Sequence, residues 1–150
     1  MDKSTRKPTR IPHYDYKTPN YYFITICTHD KKCIFGNPGK LNSYGMIAEE
    51  ELIHLEILFP SVKIDKYVIM PNHVHCILIL EEGNYSVSTC MGLYKSGVSR
   101  KIHQLNQSVQ VWQRSFHDHI IRNQQAYEKI YMYIENNPQK WKEDCFYSDL

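Results

Sequence analysis

Two histidines separated by one apolar residue are the side chains in this sequence best suited to hold a metal ion. His73 and His75 follow the turn residues Pro71-Asn72 and open the apolar run Cys76-Ile-Leu-Ile-Leu80. Side chains alternate along a β-strand, so both imidazoles are expected on one face. Buried imidazoles need a partner, and a divalent metal suits neutral imidazole. The spacing predicts a metal site, with hydrogen-bonded structural histidines as the alternative.

A helix predicted at about 123–137 carries two further residues with suitable chemistry. At about 100° per residue, Tyr133 and Asn137 lie about 40° apart and share the predicted inward side. Tyr127 and Tyr131 lie about 120° and 160° from Tyr133, toward another face. If the helix packs on the sheet near the histidines, Tyr133 and Asn137 are the pair that can reach them.

The amide oxygen of Asn137 would be a third metal ligand and would leave coordination positions open for a phosphate oxygen. An oxygen-seeking ion such as Mg²⁺ or Mn²⁺ suits such a site. Tyr133 would then attack the polarised phosphate and form a covalent phosphotyrosine bond. The alternative for Tyr133 is a core aromatic residue near a helix end.

The elements that must position these residues follow the order strand, helix, two strands, helix, strand and a last helix. Strands are predicted at 21–28, 62–70, 73–80 and 109–116, and helices at 43–59, about 88–105 and about 123–137. Ser43 is the expected N-cap of the first helix, and Ser88 or Thr89 that of the second. The βαββαβ order predicts an α+β, ferredoxin-like sheet with helices on one face, plus a C-terminal catalytic helix.

Length and composition predict a single domain over residues 1–150, with residues 1–20 as an irregular basic arm. Five cysteines without Cys-x-x-Cys spacing predict reduced thiols. The absence of a long apolar run and of a secretory signal predicts a cytoplasmic protein without a membrane partner. A net charge of +2 is compatible with nucleic acid but does not argue for it. The tail that contains Trp141 and Phe146 is expected to fold back on the domain.

Several basic residues are candidates for DNA contacts, although sequence cannot distinguish phosphate contacts from solvated charge. The candidates are Lys95, Arg100, Lys101, Arg114 and Arg122. His117 and His119 are interpreted as structural.

The segment Val68-Ile-Met-Pro-Asn-His-Val-His75 resembles the His-hydrophobe-His core of the single-tyrosine, HUH-type transposases. The resemblance is closest to the REP-associated tyrosine transposases, relatives of the transposases of small insertion sequences. Residues 22–28 resemble the first strand of that family and residues 111–123 the segment before its catalytic helix. Tyr133-Ile-Glu-Asn-Asn-Pro138 resembles the helix end that carries its nucleophile. The resemblance covers most of residues 14–143.

This resemblance implies that His73 and His75 are metal ligands and that Tyr133 is the nucleophile. Asn137 matches the position of the third ligand, four residues after the tyrosine, which is often Gln in the insertion-sequence branch. The family implies a ferredoxin-like fold, one Mg²⁺ or Mn²⁺ per active site, and cleavage and rejoining of single-stranded DNA near hairpins. A homodimer and a monomer both stay open, and a nucleoid-associated location is expected.

Other functions are compatible with the same residues. One is a non-catalytic or domesticated module that binds single-stranded nucleic acid by stacking bases on aromatic residues. It does not need the histidine pair, so binding without cleavage and without a response to EDTA would favour it. A zinc-dependent hydrolase would need no tyrosine and would leave no covalent adduct.

Overall fold

The order of helices and strands agrees with the βαββαβ pattern expected from the sequence. The computed structural model describes residues 20–81 and 85–143. In chain order its elements are β1 (Asn20–Cys27), β2 (Gly36–Asn37), β3 (Lys40–Leu41), α1 (Ser43–Leu58), β4 (Val62–Met70), β5 (His73–Leu80), α2 (Val87–Leu105), β6 (His117–Ile121) and α3 (Gln124–Asn136). Short 3₁₀ helices lie at His29–Lys31 and Pro138–Glu143. The predicted arm, except for Asn20, and Phe146 lie outside the described residues.

The four long strands form one antiparallel sheet in the order β4-β5-β1-β6. The strands β5 and β1 are central, and β4 and β6 are the edges. The short strands β2 and β3 pair only with each other. This is the predicted α+β, ferredoxin-like arrangement. None of the helices within 20–81 and 85–143 is long and apolar enough to cross a membrane.

One face of the sheet carries the main core. Helices α1 and α2 lie on this face, where Leu52 of α1 and Val98 of α2 are fully buried. From β5, every second residue from Val74 to Leu80 packs into the same core. Both central strands are apolar on this side, which explains why their local pattern predicted strands so clearly.

The opposite face carries a smaller apolar cluster under α3. Ile134 of α3 packs there with Ile77 of β5 and Ile121 of β6. Because side chains alternate along β5, His73 and His75 point to the same side as Ile77. The sheet therefore separates a packing face, covered by α1 and α2, from a face where α3 meets the two histidines.

The strand predicted at 109–116 is wrong, because the last strand begins at His117. Within the predicted segment, Trp112 forms only an isolated bridge with Thr28, and its indole N–H donates to Lys95 O at 3.1 Å. Ser115 has a φ of 67°, in the left-handed region, which interrupts extended backbone. Tertiary contacts of Trp112 and the turn at Ser115 thus override an aromatic and β-branched pattern.

The predicted N-caps of the first two long helices were also wrong, by one to three residues. Asn42, not Ser43, caps α1, with its side-chain oxygen accepting from the Gly45 amide at 2.9 Å. Ser86 caps α2 by accepting from the Thr89 amide at 3.1 Å. Asn and Ser are similarly good N-caps, so composition alone does not choose between neighbouring candidates.

Candidate active site at the His73-Val-His75 strand

The β4–β5 hairpin places the two histidines at one end of the sheet. Met70 pairs with His73, so Pro71 and Asn72 form the connecting turn. On the other side of β5, His75 lies opposite Thr25 of β1. The exposed fractions of His73 and His75 are 0% and 2%, which is the burial that the sequence predicted.

Each imidazole is oriented through its Nδ1 atom. Asn72 Nδ2 donates to Lys31 O at 3.1 Å, which turns Asn72 Oδ1 toward His73 Nδ1 at 2.8 Å. The Nδ1–H of His73 is then the donor, and the lone pair of the neutral ring is on Nε2. Thr25 Oγ1 lies 3.0 Å from His75 Nδ1. The ring centroids are 4.5 Å apart, so the two Nε2 atoms belong to adjacent, fixed rings.

Tyr133 of α3 lies against the second histidine. Its ring centroid is 5.3 Å from that of His75, in an edge-on arrangement, and 6.1 Å from that of Phe23. Phe23 also packs on His75, at 5.2 Å. Tyr133 is 43% exposed. The phenol is therefore positioned beside the imidazoles and accessible to a large substrate.

The inward face of α3 differs from the predicted one. Ile134 is the buried residue of the helix, and Tyr127 and Tyr131 pack around the same cluster rather than on another face. Tyr127 donates to Asp65 at 2.5 Å, and this hydrogen bond, with burial and the carboxylate charge, raises the pKa of Tyr127 to about 12. Counting from Tyr133 missed that Ile134 is the centre of the buried face. Tyr133 lies at the border of that face, which explains its partial exposure.

Asn137 and Trp141 complete the surroundings of the site. Asn137 follows α3, is 4% exposed, and its buried Oδ1 accepts no hydrogen bond from the described residues. The ring of Trp141 stacks on His73 with centroids 6.2 Å apart. In the sequence, Asn137 thus lies between Tyr133, whose ring contacts His75, and Trp141, whose ring contacts His73.

These residues fit a divalent cation that prefers oxygen and imidazole ligands. A buried carbonyl oxygen without a hydrogen bond costs free energy that a bound cation would recover. No group of three His, Cys, Asp or Glu side chains that could hold a metal occurs in 20–81 and 85–143. Two imidazoles and one amide oxygen would give an incomplete coordination sphere, which would suit Mg²⁺ or Mn²⁺ and leave positions for a phosphate oxygen.

The five basic candidates fall into two groups. Lys95, Arg100 and Lys101 lie on α2, across the sheet from the imidazoles. Burial lowers the pKa of Lys95, whose ammonium donates to the carbonyls of residues 113 and 115 at 2.8 Å each. Lys101 pairs with Glu51 at 2.6 Å. Arg114 and Arg122 instead flank β6, the edge strand beside β1.

Sequence reasoning missed Thr25 and Trp141 as neighbours of the site and gave Asn72 only a turn-forming role. The signal for Thr25 was a polar residue within an apolar strand, but only the strand register connects it with His75. Asn72 precedes His73 directly, so a side-chain bond to that ring could have been considered. Nothing in the sequence indicates that Trp141 meets His73.

Fold and site together define the class. The protein is a ferredoxin-like domain in which two buried imidazoles and a phenol meet at one end of the sheet, with a buried amide oxygen just after the helix that carries the phenol. A family model described as IS200-like transposase matches residues 19–137. The chain therefore belongs to the IS200-like transposase family and is a transposase.

Individual relatives agree with this assignment. An uncharacterized protein of Haemophilus influenzae is 33% identical over 169 residues, which cover 96% of this chain and 94% of the relative. A REP-associated tyrosine transposase of Escherichia coli is 33% identical over 78 residues, 52% of this chain and 45% of the relative. A solved REP-associated tyrosine transposase bound to a REP hairpin shares the fold. Its TM-score is 0.70 at 24% identity, and the match covers 87% of this chain and 73% of that one.

Proposed function

We propose that this transposase cleaves and rejoins single-stranded DNA through a covalent bond to Tyr133. His73, His75 and Asn137 would hold one Mg²⁺ or Mn²⁺ ion. The observation that carries the proposal is the contact of the Tyr133 ring with His75, 5.3 Å between centroids, together with the buried Oδ1 of Asn137 four residues further along the chain. A phenol beside a set of metal ligands is the arrangement that phosphoryl transfer to tyrosine needs.

The chemistry is a transesterification in which Tyr133 is the nucleophile. Its phenolic oxygen forms a bond to phosphorus, one P–O bond of the DNA backbone breaks, and the released hydroxyl takes up the proton that the phenol loses. When bound, the cation supplies Lewis-acid polarisation of the phosphate oxygens. The protein–DNA ester keeps one phosphodiester-like bond, so a second DNA hydroxyl can displace the tyrosine and rejoin the strand.

The proposed DNA partner contains a hairpin. The solved relative of similar fold is bound to a REP hairpin, and the family match extends over both the histidine pair and Tyr133. Hairpins formed by inverted repeats on either side of the coding region are therefore the substrates to test first.

The decisive experiment measures covalent adducts between the protein and a labelled single-stranded hairpin. Wild-type protein with Mg²⁺ or Mn²⁺ is expected to give a denaturant-stable adduct that EDTA abolishes. Tyr133→Phe should give none, because the attacking oxygen is missing. Tyr127→Phe and Tyr131→Phe are matched controls on the same helix and should retain the adduct. An adduct that persists in Tyr133→Phe would disprove the assignment.

A further inference from the structure

We propose that a cleft at the other end of α3 binds one unpaired base of the DNA strand, with guanine preferred. The proposal rests on the proposed function, because it assumes that single-stranded DNA reaches Tyr133. The cleft is lined by Tyr21, Ile121, Arg122, Asn123, Gln124 and Tyr127 and has a volume of about 390 Å³.

An aromatic face in this cleft is held in place. Tyr21 is 41% exposed, and its ring meets that of Tyr127 edge-on, with centroids 5.9 Å apart. The hydroxyl of Tyr127 donates to Asp65 of β4, so the supporting ring is itself fixed. A base that leaves its stack can gain a new stacking partner on such a preorganised aromatic surface.

The charged group beside this aromatic face is the guanidinium of Arg122. Arg122 can only donate, and it makes no ion pair with the other described residues. The Asn123 oxygen accepts from the Ala126 amide at 2.8 Å and leaves its Nδ2 donor for a ligand. By contrast, Gln124 Nε2 donates to Glu128 at 3.1 Å and leaves its Oε1 as an acceptor. Guanine presents two adjacent acceptors, O6 and N7, whereas adenine presents a donor beside N7. The paired donors of the Arg122 guanidinium match O6 and N7 and therefore favour guanine.

The cleft lies on the same face of β1 as the active site. Tyr21, Phe23 and Thr25 alternate with the residues of the main core, and Tyr21 pairs with Ile121 at the end of β6. Four residues separate Tyr21 from Thr25, or about 13 Å at ~3.3 Å per residue. A strand with a phosphate at Tyr133 can therefore place a base a few nucleotides away in the cleft.

The test separates base binding from cleavage by using the Tyr133→Phe protein in EDTA. Hairpins with single-stranded flanks carry one abasic site, moved stepwise along the flank, and their dissociation constants are measured by fluorescence anisotropy. One position should weaken binding by about 5- to 140-fold, the range expected for one stacked base. At that position, guanine should bind more tightly than the other bases, and 7-deazaguanine should bind less tightly than guanine.

Two cleft variants and one control connect that position with the cleft. In Tyr21→Ala, and separately in Arg122→Gln, the abasic substitution at the sensitive position should weaken binding less than it does in the protein with an intact cleft, because one of the two partners of the base is already lost. Arg100→Gln, an exposed arginine on α2, should leave the position effect unchanged. Thermal melting shows whether each variant is folded. If one of the two cleft variants does not fold, the other still tests the cleft.

The outcomes distinguish this proposal from the function on which it rests. A position effect that is undiminished in both cleft variants, or a flank without any sensitive position, would overturn the cleft even if wild-type protein forms the Tyr133 adduct. A position effect that depends on the cleft, in a protein that never forms an adduct, would support the base site and reject catalysis. No binding of single-stranded DNA at all would overturn both.

Discussion

At the scale of single residues, the two histidines proposed as metal ligands are oriented by hydrogen bonds from their neighbours. The Nδ1 atoms of His73 and His75 are held by Asn72 Oδ1 and Thr25 Oγ1, at 2.8 and 3.0 Å. Such hydrogen bonds fix the tautomer and the ring orientation of a ligand and raise its basicity. The affinity of the site for metal should therefore be set partly by residues that have no donor atom in it.

Replacing Thr25 by Val tests this dependence, because Val keeps the shape and the β-branching but removes the hydroxyl. We expect the dissociation constant for Mn²⁺, measured by isothermal titration calorimetry, to rise by about 10- to 100-fold. Thr89→Val, at the start of α2 on the other side of the sheet, is the matched control and should bind Mn²⁺ like wild type. Equal Mn²⁺ affinity in Thr25→Val and wild type would show that the Thr25 bond does not tune His75.

How far the sequence could predict the site also differs from residue to residue. His73 and His75 were recognisable because a spacing of two on a strand fixes their common face whatever the rest of the fold does. Thr25 was not, because it meets His75 through a register between strands fifty residues apart. The angular count along α3 predicted that Tyr133 and Asn137 share one side of the helix. Only the packing of Ile134 shows which side of α3 is buried against the sheet.

At the scale of helices and strands, local sequence patterns correctly predicted those elements that local interactions determine. The β4–β5 hairpin and the helices α1, α2 and α3 were foreseen because their turns and apolar periodicities are complete within each segment. The position of β6 was not foreseen. The apolar residues Val111 and Trp112 suggested a strand, but they pack against the main core outside the sheet. The ionic and aromatic contacts of α3 with β4, such as Lys66 with Glu135 and Tyr131, were equally invisible in sequence.

Helix α3 should be the least stable of the three described α-helices, since Ile134 is its one buried residue and its other apolar contacts are only partly buried. Ile134→Ala should cost about 2–5 kcal/mol of local stability. In hydrogen exchange, amides of α3 should then lose protection while those of β1 and β5 keep it. The adduct yield should fall, because Tyr133 is no longer held against His75. Ile57→Ala, at a side chain that is 73% exposed, is the control and should change neither readout.

At the scale of the whole molecule, one face of the sheet carries the main core and the opposite face carries the residues of the proposed site. Helices α1 and α2 bury the larger core on one face, and the imidazoles, Asn137 and the Tyr21 cleft lie on the other. Several cations of the packing side are already engaged, as in the pair of Lys101 with Glu51. With a net charge of only +2, attraction of DNA depends on where the remaining cations lie, and Arg114 and Arg122 flank the edge strand β6.

Two thiols buried in the main core predict how the stability of the protein changes at high pH. Burial raises the pKa of Cys76, under the main core, to about 12 and that of Cys90 to about 11. In the unfolded chain both thiols ionise near their ordinary value of about 8.5. Between these values the unfolded state has lost the protons and the folded state retains them. The free energy of unfolding must therefore fall as the pH rises, by up to about 1.4 kcal/mol per pH unit for each thiol.

Urea unfolding under reducing conditions between pH 8 and pH 10 measures this slope. The double variant Cys76→Ala/Cys90→Ala should show a shallower fall than wild type, although its stability at pH 8 is lower because packing is lost. Tyr67 and Tyr127, whose pKa values are also raised, are present in both proteins and cancel in the comparison. Cys33→Ala, at a half-exposed thiol, should keep the wild-type slope. Identical slopes in wild type and the double variant would mean that the buried thiols of the main core do not control stability in alkali.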